Sequence, residues 1–187
     1  MQDPFAELTS GDDKRAEESI PAILALGESA LPTLLELTRS NDPDSRWWAV
    51  RALAASPHAQ TSDLLPLLDD PASEVRAAAA LALYSFPHES AIAALVKSLF
   101  DEDTIVSGLA VNALAKIGKP ATTSLLDVME KAPLHVRILA VRALSEICDH
   151  RAIPALMKSL TEESAVLHYW AEIGLQRLGL DMVYIKP

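Results

Sequence analysis

The stretch SRWWAVRALAASP (residues 45–57) returns four times in altered form: VRAAAALALYSFP (75–87), VSGLAVNALAKIG (106–118), VRILAVRALSEIC (136–148) and LHYWAEIGLQRLG (167–179). Its central alanine, Ala49, aligns with Ala79, Ala110, Ala140 and Ala171 at intervals of 30, 31, 30 and 31 residues. Four places on, Leu53, Leu83, Leu114, Leu144 and Leu175 keep the same intervals, and Leu34, Leu64, Leu95, Leu125 and Leu156 form a third ladder upstream. A period this regular is the mark of a helical-repeat array, in which each unit buries its apolar face only against its neighbours.

Each period reads as two helices. The first carries segments such as LPTLLEL (31–37) and AIPALMKSL (152–160), apolar at helical spacing. A turn follows (NDPDS, DDPAS, DEDT, KAPLH or EES) whose prolines stop the first helix and whose Asp and Ser residues can cap the second. The second helix closes near Pro57, Pro87, Gly118, Cys148 and Gly179. No strand alternation interrupts the pattern. The expected fold is all-α, an α-solenoid of about five two-helix repeats. It divides into a degraded N-terminal capping repeat (1–27), five repeats (28–179) and a C-terminal tail (180–187), all in one continuous domain. Subtracting one period from Ala49 puts Ser19, Ile23, Leu26 and Gly27 on pattern positions, and Pro21 predicts a kink or a helix start near Ser19.

The second-helix pattern D-x-x-x-x-V-R-x-x-A-x-x-A-L, clearest in DPASEVRAAAALAL (70–83) and HVRILAVRAL (135–144), resembles the short HEAT-like repeat named after phycobilin lyases. The resemblance covers about residues 12–179. In HEAT-like superhelices the second helices line the concave surface, and the resemblance implies the same here.

Counting from the valine position of each second helix as zero, offsets 0, 4, 7, 8 and 11 are apolar or small and share one side of the helical wheel. Offset 3 (Trp48, Ala78, Leu109, Leu139, Trp170) flanks that side, so Trp48 is expected in the core. Offset 2 (Trp47, Ala77, Gly108, Ile138, Tyr169) points away, together with offset 6 (Arg51, Leu81, Asn112, Arg142, Ile173) and offset 9 (Ala54, Tyr84, Ala115, Ser145, Gln176). The candidate binding residues on the implied concave surface are therefore Trp47, Arg51, Leu81, Tyr84, Ile138, Arg142, Tyr169 and Ile173. Aromatics and arginine dominate interface hot spots. For Trp47 a second reading stands beside this one, in which the N-terminal segment covers it as a cap.

Sixteen basic against 26 acidic residues give a net charge of −10, which disfavours phosphate backbones and anionic lipid. A partner that is nucleic acid or membrane is therefore not expected. A single cysteine, Cys148, permits no intrachain disulfide and fits a reducing, cytoplasmic setting. No signal-peptide pattern and no membrane-length apolar run occur. The arginines at offset 1 (Arg46, Arg76, Arg137) follow acids such as Asp42 and Asp70 and are expected to build an Arg–Asp ladder between repeats. The five histidines lack metal-ligand spacing, and the His-Glu pairs of the di-iron deoxyhypusine hydroxylases, which share this repeat type, are absent at offsets 2 and 3. No catalytic residue, metal or other cofactor is expected. The sequence reads as a non-enzymatic protein-binding scaffold whose partner is another protein. The alternative, implied by the resemblance, is a phycobilin-lyase-like subunit or chaperone handling a bilin or a light-harvesting protein.

Overall fold

In the computed structural model, which describes residues 3–180, helices follow one another in pairs. The pairs are α1 (Pro4–Leu8) with α2 (Asp13–Leu24), and α3 (Leu31–Leu37) with α4 (Pro43–Ala55). The next is α5 (Thr61–Leu64), continued by a 3₁₀ segment over Leu65–Asp69, with α6 (Ser73–Ser85). Then come α7 (Ile92–Ser98) with α8 (Thr104–Ile117), α9 (Thr122–Lys131) with α10 (Leu134–Ile147), and α11 (Ile153–Ser159) with α12 (Ala165–Arg177). Among the described residues there is no strand. The sequence tail, 180–187, lies outside the described residues except for Leu180. The chain forms two compact units, one ending at Phe86 and the other beginning at Pro87.

The three ladders build the core of both units. All five alanines, all five second-helix leucines and all five first-helix leucines are fully buried. Each buried leucine contributes roughly 1.5–3 kcal/mol, so the period is an energetic as well as a geometric repeat. Alanine at the centre of each second helix lets the neighbouring helix approach closely. Gly174 on α12 takes this further, because a Cβ there would meet Ser145 Cβ on α10 at 3.1 Å and Leu156 Cδ1 on α11 at 3.0 Å. Ser145 is accordingly fully buried, against its expected place at outward offset 9. Its hydroxyl is satisfied by donating to the Arg142 carbonyl at 2.7 Å. The buried stripe is also wider than the apolar positions suggest. Offset 5 is buried at Val50, Ala80, Val111 and Val141 and exposed only at Glu172 of α12, since a helix inside an array has a neighbour on each flank as well as beneath it.

Caps end the helices where the turns call for them. Asp42, Asp103 and Ser164 accept backbone N–H groups at the starts of α4, α8 and α12, while α6 and α10 begin without a side-chain cap. In the first pair Asp12 caps α2, so that helix starts at Asp13 and runs through Pro21, rather than starting near Ser19. Proline has no N–H to give the Glu17 carbonyl, but burial of Ala16, Ser19, Ile20 and Ile23 holds the helix together across the gap. Leu26, placed on a core position by the period, lies past the end of α2 and is exposed. A bidentate pair from Arg15 to Glu7, at 2.6 and 2.9 Å, ties α2 to α1.

At the second-helix ends, Gly118 (φ 84°) and Gly179 (φ 81°) take positive φ, and Cys148, one period after Gly118, is in the left-handed helical conformation with φ 54° and ψ 46°. Left-handed backbone costs an L-residue roughly 1–2 kcal/mol, of which glycine's extra freedom in the unfolded chain takes back about half. Cys148→Gly is therefore expected to stabilise the protein by about 0.5–1 kcal/mol in urea denaturation. A loss of stability would show that the thiol, which lies 3.5 Å from the Ser145 carbonyl, matters more than the backbone.

Candidate binding surfaces

In the N-terminal unit, α4 and α6 pack side by side and carry Trp47, Arg51, Leu81 and Tyr84. Trp48 is buried at 4% exposure and Trp47 is half-buried, so the two indoles part as their offsets require. They meet edge to face, with centroids 4.8 Å apart at 89°. The Arg51 guanidinium lies over the Trp47 ring, 5.6 Å from its centroid. One of its terminal nitrogens also reaches both carboxylate oxygens of Glu17 on α2, at 2.9 and 3.0 Å. The first helix pair thus reaches Trp47 through a relay, Glu17 to Arg51 to indole. Leu81 and Tyr84 remain exposed on α6.

In the C-terminal unit, α10 and α12 pack together and carry Ile138, Arg142, Tyr169 and Ile173. Arg142 donates to the Asn112 side-chain carbonyl at 2.9 Å, sits 3.6 Å from Glu146 and lies over the Trp170 ring at 5.6 Å. Tyr169 is the most exposed of the candidates, at 54%, and packs edge to face on Trp170. Ile138 and Ile173 are half-buried. The two arginines have the same design: each holds its cation over an indole and beside an intramolecular acceptor. Each guanidinium is thereby tied to a partner within its own unit.

The expected ladder between repeats forms at Arg46 with Asp70, while Arg137 takes a glutamate, Glu162, in place of an aspartate. Arg46 makes a bidentate pair with Asp70 (Nε to Oδ2 2.7 Å, Nη2 to Oδ1 2.8 Å), although Asp42 is nearer in sequence. Asp42 is occupied as the cap of α4, where it accepts from the Ser45 backbone and hydroxyl. The remaining Arg46 nitrogen donates to the Ser40 and Asn41 carbonyls, and Arg76 repeats that contact on the Asp70 and Pro71 carbonyls. Arg137 reaches forward to Glu162 at 2.8 Å. Burial by itself would raise the Asp70 carboxyl, but the Arg46 hydrogen bonds and the Ala72 N–H outweigh it and hold it below the usual range. Asp149 is held well below that range by Arg151, whose side chain and N–H both donate to it, with the Thr122 hydroxyl adding a further bond. Each of these charged groups has a structural partner.

Sequence reasoning did not foresee a cleft of about 660 Å³ in the N-terminal unit, at the start of the second helices. Trp47, Trp48 and Val75 line it together with Asp13, Asp44 and Glu74, and no basic residue does. Asp44 and Glu74 stand one period apart in the first turns of α4 and α6, a signal available once the repeat is registered. The Asp44 carboxyl is pushed up, first by burial and then by the charges of Asp42 and Asp13. Among the described residues no group of three or more His, Cys, Asp or Glu could hold a metal ion, and no helix is long and apolar enough to cross a membrane.

Comparison with known proteins agrees with the helix-pair architecture. The HEAT repeats family matches residues 61–134, and the PBS lyase HEAT-like repeat matches 136–162. No curated protein matches the chain. Among solved structures, a chain of the complex of CpcE and CpcF of phycocyanin lyase from Nostoc sp. PCC7120 is 25% identical, with a TM-score of 0.57 over 75% of this chain and 95% of that one. The archaeal HEAT-like repeats protein from Thermococcus onnurineus NA1 is 16% identical, with a TM-score of 0.61 over 86% and 76%. A designed armadillo repeat protein in complex with peptide (KR)4 is 20% identical, with a TM-score of 0.54 over 94% and 98%. The last two show likeness of fold alone. With its helix pairs repeating every 30 to 31 residues and repeat families matching at 61–134 and 136–162, the chain is an all-α solenoid of HEAT-like repeats, of the PBS lyase type over the second of those segments.

Proposed function

We propose that the chain is a cytoplasmic, non-enzymatic protein-binding scaffold, with 1–27 as its N-terminal cap and the repeats of 28–179 presenting the binding residues. The observation that carries this reading is the exposure of large apolar side chains at the outward-pointing offsets 2, 6 and 9: Leu81 and Tyr84 in one unit and Tyr169 in the other. In each unit they share a face with an arginine braced over an indole (Arg51 on Trp47, Arg142 on Trp170), and Ile138 and Ile173 extend the face in the second. Such a surface offers contact area with little side-chain entropy left to lose, the quality that makes aromatic and arginine anchors effective. The designed armadillo repeat protein in complex with peptide (KR)4, similar in fold, supports this reading.

The test is a random-peptide display selection on the wild-type chain, followed by affinity measurement on variants. Selected peptides are expected to bind Leu81→Ser/Tyr84→Ala or Tyr169→Ala at least tenfold more weakly, with helical content unchanged. Undiminished binding to both variants would remove these faces from the function. A second reading, a phycobilin-lyase-like subunit, draws on the PBS lyase HEAT-like match and the CpcE–CpcF likeness. It expects induced visible circular dichroism when an open-chain tetrapyrrole is added. The scaffold reading expects none.

A further inference from the structure

We infer that the cleft at the start of α4 and α6 is a recognition site for a basic peptide segment, whose lysine or arginine side chain lies on Trp47 and Trp48 and ends among Asp13, Asp44 and Glu74. This goes beyond the scaffold reading and uses residues outside the faces proposed for it, apart from Trp47. Three features point to that ligand chemistry. The walls are two indoles set perpendicular to each other, with Val75 beside them, a surface that takes the methylene stem of a basic side chain. Indole is also the best aromatic partner for a cation, and arginine stacks on it as well.

The charged residues that line the cleft are of one sign, and the Arg51 cation over the Trp47 ring, already paired with Glu17, is not among them. Carboxylates arrive from α2, α4 and α6, and no basic side chain lines the cleft to answer them. Elsewhere in the N-terminal unit, Glu7, Glu17 and Asp70 are each paired with an arginine. Acidic residues are favoured in a first helical turn, which accounts for their presence singly. It does not account for a cleft between them walled by tryptophan. The Asp44 carboxyl already feels its acidic neighbours, and an incoming cation relieves that repulsion. A volume of about 660 Å³ falls in the roughly 300–1,000 Å³ range of ligand sites, room for one long side chain and part of its backbone. A net charge of −10 steers a basic segment toward this surface.

The experiment titrates the peptides Gly-Gly-Arg-Gly-Gly, Gly-Gly-Lys-Gly-Gly and Gly-Gly-Gln-Gly-Gly into the full chain while following the three tryptophan indole N–H resonances. The arginine and lysine peptides are expected to shift Trp47 and Trp48 with saturation, leaving Trp170 in the other unit as the internal reference. The glutamine peptide should do nothing. Asp13→Asn/Asp44→Asn/Glu74→Gln is expected to weaken binding at least tenfold. Glu74→Gln alone, which leaves the starts of α2 and α4 intact, should weaken it about threefold. Absence of saturable shifts, equal binding of the glutamine peptide, or full affinity in the charge variants would each overturn the inference. Leu81→Ser/Tyr84→Ala/Tyr169→Ala separates the two proposals, because it should leave this titration unchanged while weakening binding of the display-selected peptides at least tenfold.

Discussion

Trp48→Ala is expected to destabilise the protein by about 3–5 kcal/mol, the range for removing a buried indole from a packed core. Trp48 is 4% exposed and, with Val75 of the next repeat, walls the cleft between the starts of α4 and α6. Removing the indole leaves a void among packed helices that relax only partly, so a cavity term adds to the lost transfer energy. Trp47→Ala, one residue away, is expected to lose about 1–2 kcal/mol. It forfeits an edge-to-face contact, worth roughly 0.5–1.5 kcal/mol, and the Arg51 stacking, but little burial. Parallel urea titrations of the two variants measure the difference. Equal losses would mean that Trp47 is as deep in the core as its neighbour and that the offset assignment is wrong.

The second large effect belongs to the Arg46–Asp70 pair. Both side chains are buried, at 10% and 5% exposure, and each carboxylate oxygen of Asp70 accepts from Arg46. Asp70→Ala is expected to cost about 3 kcal/mol, at the lower end for breaking a buried pair, since it leaves a guanidinium in the interior with only backbone carbonyls around it. Arg46→Met/Asp70→Leu removes both charges and should lose much less, because well-packed apolar replacements of buried pairs are close to neutral. A double variant as unstable as the single would show that the Ser40 and Asn41 carbonyl bonds carry the stability. The pair also sets a pH dependence. With the Asp70 carboxyl held below its ordinary value, its contribution is complete above about pH 4–5 and is lost as pH falls through the lowered folded value. Stability of the wild type should therefore drop more steeply on acidification than that of the double variant.

Much of this architecture is written in local pattern. The period, the three buried ladders and the different fates of Trp47 and Trp48 follow from helical geometry alone. A residue's offset on a helix fixes its direction, and repetition of that offset across five units averages away accidents of single positions. Fold class was legible for the same reason, as was the gathering of Trp47 with Arg51 on one side of α4, four residues apart.

What stayed hidden depends on which distant group comes within reach. Arg46 has Asp42 four residues before it and pairs with Asp70, because Asp42 is spent on capping α4 while the next loop delivers Asp70 to the guanidinium. Pro21 argues for a helix break, yet burial of Ile20 and Ile23 against the next helices carries α2 through it. Offset 5 looks indifferent on a single wheel and is buried in four of the five repeats because a second helix flanks it there. Glu17 meets Arg51 across 34 positions, and Asp13, Asp44 and Glu74 converge on the indoles from three helices. None of these contacts leaves a trace in spacing along one helix. They arise from the docking of one helix pair on the next, where a few ångströms of approach settle which charge is paired and which faces an open cleft.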